Sequence, residues 1–219
     1  MKFKNLCVLA LLLACAFSVP SVSRGQSDYS GLALVVVYDT SASMAERVMD
    51  SAGVKRPKYQ IASEALGGIV EKIDAYSKTY PVEAGLVSFR SRGDIAMGKW
   101  NRAPFQGWLA SFREPDNNTP LGEAIAKACS MLQSSKIARK HIVILTDGES
   151  NGSLAPDVAI REARKMGATP QIHVVAFDVN ASVFGALKKE GVDVLPASGI
   201  TLERGLKDLF AGKILLEAE

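Results

Sequence analysis

The sequence predicts one doubly wound α/β domain over residues 30–217, with a mostly parallel central sheet, one antiparallel edge strand and helices on both faces. Three observations carry this. Apolar runs alternate with segments of helical periodicity along the chain. The runs "LALVVVY", "HIVIL" and "QIHVVAF" are near-continuous, as in strands buried on both faces. "VEAGLVSF" and "DIAMGKW" are joined by the short polar turn "RSRG", which suits an antiparallel pair.

Each element follows in order. "LALVVVY" is the first strand. In "YQIASEALGGIVEKIDAY" the residues Ile61, Ala65, Leu66, Ile69, Val70 and Ile73 form a helical stripe. The strand pair comes next. "LGEAIAKACSML" is a helix opened by Pro120, and "HIVIL" is a strand. "APDVAIREARKMG" is a helix ended by Gly167. "QIHVVAF" is a strand, "ASVFGALKKEG" a helix, "VDVLP" a short strand and "LERGLKDLFAGKILLEA" the closing helix. In such Rossmann-like sheets, ligands bind beyond the carboxyl ends of the strands.

Of the 219 residues, 47% are hydrophobic and 22% charged, ordinary values for a globular chain able to bury a sizeable core. Residues 1–25 stand apart. Lys2 and Lys4 precede an apolar run from Leu6 to Val19, then Pro20 and small polar residues, the plan of a secretory signal peptide. That run is too short for a membrane span, which takes roughly 20 residues. "LLAC" offers a second reading, a lipid anchor on Cys15. Either way the protein is expected to be exported, to the periplasm or beyond. The leader holds Lys2, Lys4, Arg24 and no acid, so its removal takes the formal charge from +3 to zero. The basic balance therefore gives no support to nucleic-acid binding. Cys129 sits at helical spacing from Leu121 and Ile125 and reads as a buried core thiol.

Three fragments carry the chemistry. "YDTSASM" ends the first strand with Asp39, Ser41 and Ser43. "NNTPLGEAI" places Thr119 just before a helix. "IVILTDGES" ends a strand with Asp147. All three lie at the carboxyl edge of the predicted sheet. Two carboxylates and three hydroxyls make an oxygen-only donor set, which suits Mg²⁺, with Mn²⁺ or Ca²⁺ as alternatives, over zinc or copper.

The order Asp-x-Ser-x-Ser, loop Thr and strand-end Asp resembles the metal-ion-dependent adhesion site of the von Willebrand factor type A domain. The resemblance runs over residues 32 to 215, because the order of strands and helices fits too. It implies a metal held by Asp39, Ser41, Ser43, Thr119 and Asp147, and a protein partner that supplies an Asp or Glu carboxylate to the ion. It implies no enzymatic activity. Two departures stand out: "AERVMDSAGVKRPK" is longer than the usual bacterial segment, and "DNN" precedes Thr119 where Gly-Gly is common.

Rival readings are weaker. A structural envelope component of the same fold would need no metal. "GESNG" fits the G-x-S-x-G elbow of a serine hydrolase with Ser150 as nucleophile, but that elbow should run straight into a helix and "SLAPD" intervenes. The histidines, His141 and His173, fall in strands, as core residues do. An Asp-x-Asp phosphatase fails because position 41 is Ser. Arg92–Asp94 spells Arg-Gly-Asp in a turn, where Gly and Asp belong anyway. Sequons occur at Asn117, Asn151 and Asn180.

Overall fold

The computed structural model describes residues 31–89, 93–112, 115, 118–148 and 150–216. The leader with Cys15, together with Arg92, Asn117 and Glu149, lies outside them. Strand β1 (Leu32–Tyr38) is followed by a 3₁₀ turn (Ala42–Ala45), the short strands β2 (Arg47–Met49) and β3 (Lys55–Pro57), and helix α1 (Lys58–Tyr76). Then come β4 (Val82–Ser88), β5 (Ile95–Lys99), α2 (Arg102–Ser111), α3 (Leu121–Gln133) and β6 (Lys140–Thr146). The chain continues through α4 (Pro156–Lys165), β7 (Gln171–Phe177), α5 (Gly185–Lys189), β8 (Asp193–Ala197) and α6 (Leu202–Leu209), which runs on as a π-helical turn to Ile214.

The main sheet has six strands in the order β5-β4-β1-β6-β7-β8. Every pairing is parallel except β4 with β5, which places the antiparallel strand at an edge as the short turn predicts. β1 is central and fully buried. Its alternation divides the core. Leu32, Leu34, Val36 and Tyr38 face the layer of α1 and α6, while Ala33, Val35 and Val37 face that of α3 and α4. Cys129 is buried in the second layer, and burial pushes its thiol up to about 11.

Two features were not expected. The first is α2. The Asn101 side chain caps it by accepting from Ala103 N at 3.0 Å, and it buries Phe105 and Trp108. The second is an antiparallel hairpin, β2–β3, within the long segment after the first motif. Asp50 Oδ1 organises its turn by accepting from Ala52 N and Val54 N, both at 2.9 Å, and Gly53 supplies a φ of 78°. The hairpin lies so close to Gly199 that a Cβ there would collide with the Met49 carbonyl.

Candidate functional site

The parallel register of β1 and β6 sets Tyr38 opposite Leu145. The next residues, Asp39 and Thr146, therefore emerge side by side at the carboxyl edge, with Asp147 one step on. Asp39 is wholly buried. Its Oδ1 accepts from Ser41 N at 2.7 Å, and its Oδ2 accepts from Thr146 Oγ1 at 2.6 Å. Burial pushes the Asp39 carboxyl up to about 6, against those hydrogen bonds and helped by the charge of Asp147.

The chain then turns rather than continuing extended. Met44, fully buried, anchors the 3₁₀ turn to the core, and Met44 N donates to the Ser41 carbonyl. The turn brings Ser41 Oγ to 3.0 Å from Ser43 Oγ, and Ser43 Oγ donates to Asp147 Oδ1 at 2.7 Å. Asp39, Ser41, Ser43 and Asp147 are thus brought together.

Thr119 is held through its backbone by Asn151. Its N–H donates to Asn151 Oδ1 at 2.6 Å, and its carbonyl accepts from Asn151 N at 3.0 Å. Among the described residues, its hydroxyl makes no hydrogen bond to the other four. The approach is close: a Cβ on Gly122 would collide with the Leu154 carbonyl. Glu123 Oε1 fastens the same contact, accepting from Ser153 N at 2.7 Å, Ser153 Oγ at 2.8 Å and Leu154 N at 3.0 Å.

Sequence reasoning missed four residues of this region: Thr146, Asn151, Lys58 and Glu46. Thr146 and Asn151 fix ligand candidates from behind. Lys58, the first residue of α1, is buried, and its Nζ donates to Asp147 Oδ2 at 2.9 Å and to Glu46 Oε2 at 2.8 Å. Burial works against the Lys58 charge, but the hydrogen bonds and charges of Glu46 and Asp147 outweigh it and hold its pKa above the ordinary value. The available signal was a lysine at the start of a helix, where the macrodipole disfavours positive charge.

The donor set fits a hard cation. Asp39 carries a buried carboxylate that, among the described residues, has no cationic side chain bonded to it. Such a charge is costly without a counter-ion. No group of three or more His, Cys, Asp or Glu is placed to hold a metal among the described residues. The two carboxylates and three hydroxyls match an ion that keeps several waters, as Mg²⁺ does.

Ser150 Oγ is buried and has no hydrogen-bond partner among the described residues. Both histidines lie elsewhere. His141 is the second residue of β6, about 17 Å from Thr146 at a strand rise of about 3.3 Å per residue. Its Nδ1 is 3.2 Å from His173 Nε2. Among the described residues, neither histidine is hydrogen-bonded to Ser150. In the turn before β5, Asp94 Oδ1 accepts from Ser88 N at 2.8 Å. Asn180 caps a 3₁₀ turn through Ser182 N.

The von Willebrand factor type A domain family matches residues 33–191. The chain belongs to this family. Among curated proteins none matches it in sequence. The VWA fold aligns with SpaC, a pilus adhesin from Lactobacillus rhamnosus GG, at a TM-score of 0.65 and 15% identity. That alignment covers 84% of this chain and 30% of SpaC, so the chain spans under a third of the adhesin. The vWF domain of the type V pili tip protein Mfa5 from Porphyromonas gingivalis aligns at 0.64 and 12% identity, covering 82% of this chain and 94% of that one. An aerotolerance-related membrane protein from Bacteroides fragilis aligns at 0.63 and 16%, covering 84% and 98%. These likenesses are of fold. In this VWA domain no helix among the described residues is long and apolar enough to cross a membrane.

Proposed function

We propose that the chain is an exported, non-catalytic binding module for adhesion or assembly. It seats a Mg²⁺-type ion on Asp39, Ser41, Ser43, Thr119 and Asp147 and uses the ion to grip an acidic side chain of a protein partner. The supporting observation is the convergence of Asp39, Ser41, Ser43 and Asp147, drawn from loops 104 residues apart. Family membership and the pilus proteins among its structural neighbours agree with a binding role. The donor chemistry explains why the partner should be acidic. Asp39 and Asp147 match one divalent charge, Glu46 matches that of Lys58, and the three hydroxyls are neutral donors. An open position on the ion therefore draws an anionic oxygen.

The Lys58–Asp147 ion pair also favours a second reading, a structural module that needs no metal because the lysine supplies the counter-charge. A melting experiment separates the two. Mg²⁺ or Mn²⁺ at a hundredfold excess over its dissociation constant should stabilise the chain by about 2.7 kcal/mol relative to a chelated sample. Asp39→Ala should abolish the gain. Identical melting curves with ion and with chelator would leave the structural reading standing. Once a partner is in hand, its binding should be lost with chelator and in Asp39→Ala.

A further inference from the structure

Lys58 is poorly placed for stability. It opens a helix of 19 residues, the positive end of the macrodipole, and it is buried. Its ammonium is nevertheless fixed on two acids at once, 2.9 Å from Asp147 Oδ2 and 2.8 Å from Glu46 Oε2. The backbone reinforces the second link, because Lys58 N donates to the Glu46 carbonyl at 2.8 Å where the β2–β3 hairpin closes. The two acids differ. The Asp147 side chain has no exposed surface, whereas that of Glu46 is 67% exposed at the rim. The lysine therefore bridges the candidate site and the surface. A residue that breaks a local preference in this way signals a role beyond folding.

We infer that Lys58 is a tethered competitor of the divalent ion: it neutralises Asp147 in the unloaded chain, and loading transfers its ammonium onto Glu46. This inference rests on the reading of Asp39, Ser41, Ser43, Thr119 and Asp147 as a divalent-cation site. The physical reason is simple. A divalent ion drawn to Asp147 meets a like charge already hydrogen-bonded to that carboxylate. It must repel the ammonium or share the oxygen with it. Glu46 is an acceptor already in contact, so displacement needs no large movement. Glu46 then sets how readily the site loads, although it is not itself among the proposed ligands.

The test is Mn²⁺ titration of the full chain by calorimetry, with circular dichroism to confirm folding. Lys58→Met keeps the length of the buried stem and removes the charge. It should tighten Mn²⁺ binding by about tenfold or more, the size of effect a neighbouring charge has on an ionisable group. Glu46→Gln removes the acceptor for the displaced ammonium and should weaken binding severalfold. In the Lys58→Met background the Glu46→Gln change should have no further effect. Unchanged or weaker binding in a folded Lys58→Met chain overturns the inference while leaving the metal site intact. So does a Glu46→Gln effect that persists without the lysine, because Glu46 would then act only as a distant charge. Should Lys58→Met fail to fold, Glu46→Gln decides alone, and an unaltered affinity refutes the coupling. Absence of Mn²⁺ binding in wild type and all variants overturns both this inference and the metal reading beneath it. Binding that appears only with Lys58→Met supports the competitor and overturns metal use by the native chain.

Discussion

Ser43 Oγ donates to Asp147 Oδ1 at 2.7 Å, tying the turn after β1 to the end of β6. The other oxygen of the same carboxylate accepts from Lys58 Nζ at 2.9 Å. One buried carboxylate thus links the first motif, the strand-end acid and the start of α1. The proximity follows from sheet order: β1 and β6 are parallel neighbours, so whatever follows each strand emerges at the same edge.

Asp147→Ala should be costly because it strands a buried ammonium. Removing one partner of a buried ion pair typically destabilises by 3–5 kcal/mol. Glu46 keeps part of the interaction, so a loss of about 3 kcal/mol in urea unfolding is expected. In the Lys58→Met background the same substitution should cost less than half as much, since no charge is left unpaired. Equal losses in both backgrounds would show that the two side chains are not energetically coupled.

The histidines set an acid limit. The His141 and His173 rings stack, with centroids 5.4 Å apart, and Asp193, Lys213 and Arg139 are the charged groups around them. Burial, then the charges of His173 and Arg139, holds His141 down to about 3. Burial also lowers His173, with Asp193 opposing. Each folded pKa lies below the unfolded value of about 6.5. Between the two values the unfolded chain binds more protons, so stability is fully present above pH 6.5 and is lost as pH falls. His141 alone should cost about 2 kcal/mol on going from pH 7 to pH 5. Asp39, pushed up to about 6, works the other way over the same range, so the readout is a comparison: urea midpoints should fall more steeply, or rise less, from pH 7 to pH 5 in wild type than in His141→Leu. A variant with the wild-type slope would assign the effect to other groups.

Trp108→Ala should destabilise by about 3–5 kcal/mol, as deletion of a buried aromatic does. Trp108 packs edge-on to Tyr38 at 5.0 Å and stacks on Phe112 at 5.3 Å, so α2 is joined to the end of β1. Urea unfolding checks this. A cost below 1 kcal/mol would mean that α2 contributes little to the core.

How legible each part was depends on what it buries. β1, β6 and β7 are covered on both faces and so read as apolar runs without further signal. α2 buries Phe105 and Trp108 alone, and Arg102 and Gln106 between them give it a loop-like composition. Its cap at Asn101 was the signal available. That Asp39, Ser41, Ser43 and Asp147 are neighbours was legible because they sit at or just after the ends of β1 and β6. Lys58 was not. A lysine before an amphipathic helix reads as a solvated charge, and only the folded β1–β6 register brings Asp147 against it. The hairpin was visible only as added length, because its exposed Met49 and Val54 give no core pattern.

Asn151 gives the last prediction. As a sequence it reads as a sequon; in the fold it is a clamp on Thr119. Its side-chain oxygen accepts from Thr119 N at 2.6 Å, and its own N–H donates to the Thr119 carbonyl at 3.0 Å. Thr119 stands at the entrance to α3, which is pressed against the Leu154 carbonyl at Gly122. Asn151→Ala removes the acceptor and leaves a half-buried backbone N–H unpaired, at a cost of about 1–3 kcal/mol. It removes no proposed ligand. If Thr119 belongs to the divalent site, the freed loop should also weaken Mn²⁺ binding. Asn151→Asp keeps an oxygen in the same position and should recover most of the stability. Its added negative charge near the site should keep Mn²⁺ affinity at or above the wild-type level. Calorimetric titration beside urea unfolding distinguishes the two roles. A chain that loses stability in Asn151→Ala yet binds Mn²⁺ as tightly as wild type would show that the clamp serves the fold and that Thr119 is not a ligand.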